Sequence, residues 1–186
     1  MAQLIQLILS NVPTIMFVAA IMLALRPHGN HALSRRLLDW MLLLAIGVSY
    51  VWSGFFHVFF PALAASSIGW ATSPFQYEIG VADIAIGVAA IVSFWRGLEF
   101  KTSVVVYLTL FCLGVAIGHV FQAVEHGDYA PNNFGLLLIE TIATMILLPL
   151  LLWMHGGPTT GRALSAKLLE WCPRQGLNPR PSVYKT

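Results

Sequence analysis

Gly54-Phe55-Phe56-His57-Val58-Phe59-Phe60-Pro61 and, after an uncharged turn, Pro74-Phe75-Gln76-Tyr77-Glu78-Ile79-Gly80-Val81-Ala82-Asp83 are the two halves of one motif. Each half ends or begins an apolar run and carries groups that hydrocarbon does not tolerate alone, an imidazole before the turn and two carboxylates after it. Ionisable side chains within apolar helices face a bundle interior and are offset by partners there. The pair therefore predicts two membrane-spanning helices joined by a short loop, with a polar site between them close to that loop.

The same arrangement recurs downstream. His119-Val120-Phe121 repeats His57-Val58-Phe59 at an offset of 62, and Glu140 follows His119 by the 21 residues that separate Glu78 from His57. A diverged tandem repeat of one helical hairpin is the reading that follows, of a kind common in membrane proteins. Asp83 has no counterpart, since Met145 occupies the matching position.

Composition agrees with a membrane environment. With 58% hydrophobic and 10% charged residues in 186, the chain holds more apolar surface than a soluble domain of that length could bury. The formal net charge of +2 carries no nucleic-acid signature, because the basic residues are dispersed and form no patch. Cys112 lies in an apolar run and Cys172 in a polar tail, which argues against a disulfide framework.

Five apolar runs are long enough to cross a bilayer, at about 4–25, 37–60, 75–95, 102–122 and 134–154. The first has no basic segment before it and is read as a retained span, kinked at Pro13. Pro61 ends the second, and Gly156-Gly157-Pro158 closes the fifth. The third carries Gly80, Ala82, Ala85, Gly87 and Ala89, a small-residue face that lets a neighbouring helix approach. Residues 159–172 form an amphipathic pattern suited to a membrane surface, with Leu164, Leu168 and Trp171 on one face, and 173–186 read as a flexible tail. The fold class is thus an all-α membrane protein, spans two to five forming a four-helix bundle. All ten Lys and Arg fall in the 26–36 loop, the 96–101 loop or the tail, which five spans place on one side, the cytoplasmic one. The N-terminus and the loops at 61–74 and 123–133 then face outward.

Depth along the spans brings four polar residues to a common level in the outer half: His57, Glu78, His119 and Glu140. Two imidazoles and two carboxylates suit a divalent transition metal, zinc, iron, manganese or copper, whose charge the two Glu would neutralise. Asp83, Tyr77, Gln122 and His126 are candidates for positions behind or around that set. Two alternatives stand beside the metal: self-satisfied His–Glu pairs that only fix helix register, and a b-type haem held between His57 and His119.

The turns Gly69-Trp70-Ala71-Thr72-Ser73-Pro74-Phe75-Gln76-Tyr77-Glu78-Ile79-Gly80 and Tyr129-Ala130-Pro131-Asn132-Asn133-Phe134-Gly135, with Gly118-His119-Val120-Phe121 between them, resemble motifs of a family of uncharacterised bacterial integral membrane proteins, a domain of unknown function. The resemblance implies a small bacterial inner-membrane protein and carries no activity. The residues favour a metal-binding membrane protein, an oxidoreductase or an accessory to one. A non-catalytic subunit of a larger membrane complex or homo-oligomer, and a carrier of protons or small solutes, are the rival expectations.

Overall fold

The computed structural model describes residues 11–27 and 31–171, those from 156 onward by backbone alone. All regular structure among them is helical: α1 (Val12–Leu25), α2 (Leu33–Phe59), α3 (Pro61–Ser67), α4 (Phe75–Ser93), α5 (Leu98–His126) and α6 (Leu136–Trp171). Four stretches are long and apolar enough to span a membrane: α2, α4, α5 and Leu136–His155 of α6. The described part of the expected first span is the shorter apolar helix α1, 14 residues long, with Pro13 in its first turn. Exposed Ile117, Val124, Ile139 and Trp153 on the outer surfaces are what a lipid-facing bundle presents.

Several boundaries differ from those read off the sequence. Pro61 does end α2, but it does so by opening α3, since its fixed φ and missing N–H suit a first helical turn. Glu99 and Lys101 belong to the first turns of α5 and not to a loop. Helical backbone continues through Gly156, Gly157 and Pro158 to Trp171, where the sequence predicts a break. Residues from 156 on form a separate unit, and 172–186, including the predicted tail, lie outside the described residues.

α2 is not uniform. Met41–Val48 winds as a π-helix, and Ser49 Oγ donates to the Leu44 carbonyl at 3.3 Å. A wider turn rotates the face presented beyond it, and such turns often accompany functional sites. Past this section α2 packs tightly on α4. A Cβ on Gly54 would stand 2.5 Å from the Gly80 carbonyl oxygen, one on Gly80 2.9 Å from His57 Cβ, and one on Gly87 2.7 Å from the Val51 nitrogen. Glycines thus let two backbones meet where lipid gives helices no hydrophobic reason to associate. Of the predicted small-residue face, Gly80 and Gly87 make this contact, whereas Ala85 is exposed.

The bundle has a dry half and a hollow half. Toward the end rich in basic residues, Leu38, Met41, Leu42 and Ile46 of α2 interdigitate with Ile86 and Ala90 of α4, Val105 and Leu108 of α5, and Leu148 and Leu151 of α6. That end is fastened by Lys101, whose side chain is 4% exposed. Its Nζ lies 2.9 Å from Asp39 Oδ1 and donates to the carbonyls of Ser93 at 2.5 Å and Phe94 at 3.3 Å, so one cation closes the C-terminus of α4 and ties three helices. The opposite end, which carries His57 and His119, is capped by loops. Gly69, at φ 81°, leaves room for the Asp128 carboxylate from the α5–α6 connection, and Gly127, at φ 66°, ends α5 in the left-handed region.

Candidate functional site

A cavity of about 660 Å³ occupies the histidine half of the bundle, lined from α1, α2, α4, α5, α6 and the loop before α4. Most of its wall is apolar and aromatic, with Phe17, Phe75 and Phe111 among its residues, and its polar groups are few and placed. Such a cavity has the size and character of a small-molecule site.

His57, in the last turn of α2, directs Nδ1 at Oε1 of Gln76, a buried side chain in the first turn of α4. An amide oxygen only accepts, so the imidazole donates its Nδ1–H, and in the neutral form of the ring this leaves the lone pair on Nε2. His119 repeats the arrangement from α5: its Nδ1 donates to Oδ1 of Asn133 at 2.6 Å. Here the tautomer is set twice over. Asn133 is 0% exposed, and its Nδ2 donates to the carbonyls of Asp128 at 2.6 Å and His119 at 3.4 Å, so only its oxygen can face the ring. Trp70 stacks on the other side of His119, with centroids 5.6 Å apart and planes 27° from parallel.

One to two turns further into the bundle lies a second polar level. Ser53 Oγ donates to Asp83 Oδ2 at 3.0 Å, and the Tyr50 hydroxyl lies 3.1 Å from Cys112 Sγ, joining α2 to α5. All four residues line the cavity, as do Glu140 and Thr144 of α6.

Of the four ligands expected from the sequence, His57, His119 and Glu140 line this cavity together. Glu78 is exposed and stands outside the lining. Among the described residues, no three His, Cys, Asp or Glu side chains come close enough to hold a metal ion between them. The His–Glu pairs considered from the sequence are replaced by His–amide pairs, because Gln76 and Asn133 reach the rings first. Asp83, expected behind the ligands, is in the cavity wall. Tyr77 and His126 are exposed, His126 edge-on to Phe121, and Gln122 is half-buried outside the lining.

Gln76 and Asn133 are the residues whose role the sequence reading missed. Each is an amide just past the turn that follows a histidine, 19 residues on in one case and 14 in the other, and that recurrence was the available signal. Cys112, placed by the sequence in an apolar run, is a cavity residue.

The chain belongs to a family of unknown function, DUF6790, whose model matches residues 6–159. That range takes in α1 to α5 and the apolar part of α6, so the whole cavity lies within what defines the family. No curated protein and no solved structure matches it.

Proposed function

We propose that the protein is a five-span protein of a bacterial inner membrane that binds a small amphipathic molecule in the cavity between its helices. The observation that carries this reading is the cavity itself: an apolar hollow that collects His57, His119, Asp83 and Glu140 from four helices, in a part of the bundle that side chains could have filled. Packing drives helix association in lipid, so a half-open hollow of this size gains contacts when a molecule settles in it. The basic residues support an outward-facing histidine end and a cytoplasmic C-terminus.

Native mass spectrometry of protein released from membranes tests it. A bound small molecule at near one per chain is expected for wild type, and its loss in Val115→Trp, which puts an indole into the cavity wall. Wild type free of bound mass, or a variant that carries the same one, sinks the reading.

A metal centre is the second reading, and the imidazoles favour it. A histidine that ligates through Nε2 characteristically donates its Nδ1–H to a carbonyl or carboxylate, as His57 and His119 do to amides. Zinc, iron, manganese or copper would take those two nitrogens and complete its shell from water, since no third His, Cys, Asp or Glu among the described residues comes close enough to join them, whereas a b-type haem would need the two rings alone. Metal analysis and an absorption spectrum of wild type beside His57→Ala and His119→Ala separate these from an organic ligand.

The tandem-repeat reading is supported by positions 62 apart that both line the cavity: Ser49 and Phe111, Ser53 and Val115, His57 and His119, Ile79 and Thr141. Tyr50 and Cys112, also 62 apart, touch each other, as equivalent residues do beside a two-fold axis. The amides that hold the two histidines are not equivalent, and Glu78 is exposed where Glu140 lines the cavity, so on this reading the halves have diverged in function.

A further inference from the structure

Resting on the reading that the cavity is occupied by a small amphipathic molecule, we infer that its ligand is a lipid-soluble dihydroxy-aromatic of the hydroquinone type, held through its hydroxyl groups by Nε2 of His57 and Nε2 of His119. The assignment follows from what each ring has left to offer. Both Nδ1–H groups are spent on buried amides, Gln76 at 6% exposure and Asn133 at 0%, so in its neutral form each imidazole has one remaining capacity, to accept. A ligand that meets both must carry two donors set apart, one toward α2 and one toward α5. An aromatic ring with two hydroxyls does so, and the phenyl and indole faces of Phe17, Phe75, Phe111 and Trp70 supply surfaces against which such a ring packs. The cavity is larger than one ring requires, which leaves room for an alkyl substituent. Lipid is where such molecules reside, and α6 stands back from the other helices, reaching the core through Leu148 and Leu151.

This geometry discriminates by oxidation state. The quinone form offers only acceptors and would set carbonyl oxygens against two lone pairs, leaving buried polar groups unmatched. The reduced form is therefore preferred.

Thermal unfolding of the protein in lipid nanodiscs, titrated with duroquinol, duroquinone and the hydroxyl-free parent durene, tests the inference. Duroquinol is expected to bind about tenfold or more tighter than either companion, the equivalent of at least one net hydrogen bond. His57→Leu and His119→Leu are each expected to abolish that preference while durene still binds, which shows the variants folded with the cavity intact. Equal affinity for all three compounds in wild type, or tighter binding of duroquinone, overturns hydroxyl recognition and leaves the occupied-cavity reading standing. Absence of binding by all three overturns both.

Discussion

Asn133 governs the site from outside it, because both ends of its amide are committed: the oxygen to His119, the nitrogen to two carbonyls of the connection between α5 and α6. Asn133→Leu keeps the branching of the side chain and removes every one of these bonds. Stranding buried partners costs about 1–3 kcal/mol, which a lowered unfolding midpoint in nanodiscs reads out. Asn133→Asp retains the acceptor for Nδ1 and is expected to preserve the tautomer of His119 while losing part of that stability. At the other end of the bundle, Lys101→Met removes the nearer of two cations beside Asp39, leaving Arg35 at 3.8 Å, and takes the donor from two helix-end carbonyls. Stranding buried acceptors costs about 1–3 kcal/mol, so this variant is expected to show a lowered yield and unfolding midpoint.

The contact between α2 and α4 sets where His57 stands, since Gly80 lies directly against the His57 Cβ. Gly54→Val forces a side chain into the Gly80 carbonyl, and overpacking of this sort costs about 1–3 kcal/mol or displaces one helix. Gly114→Ala is the control: nothing lies within 4 Å of the added methyl and alanine suits a helix interior better, so its unfolding midpoint should equal or exceed that of wild type. These elements also show what the sequence could disclose. Hydropathy found α2, α4, α5 and the apolar part of α6 because lipid imposes length and polarity on each helix separately, and glycine spacing marked the face of α4 that packs. The π-helical section Met41–Val48 left no periodic trace, because every residue in it is apolar or glycine and a change of winding cannot be seen in a uniform pattern. Depth grouped His57, His119 and Glu140, and all three line the cavity, yet depth cannot report azimuth. Glu78, read at the same depth, is exposed, whereas Asp83, expected behind the ligands, lines the cavity.

For the molecule as a whole, the division into a packed basic half and a hollow histidine half is the feature that ties fold to function. Alkaline phosphatase fused after Gly127 is expected to be active and after Arg96 inactive, because the proposed orientation places the first junction outside and the second in the cytoplasm; the reverse pattern inverts the topology. Recognition in the cavity depends most on two imidazoles offering bare nitrogens to one shared space. Histidine nitrogen-15 spectra of the protein in bilayers at neutral pH, assigned with His57→Leu and His119→Leu, measure this directly. Hydrogen on Nδ1 and none on Nε2 is predicted for both rings, with both Nε2 signals shifting together when duroquinol is added; hydrogen on Nε2 of either ring, or a response from only one, contradicts it.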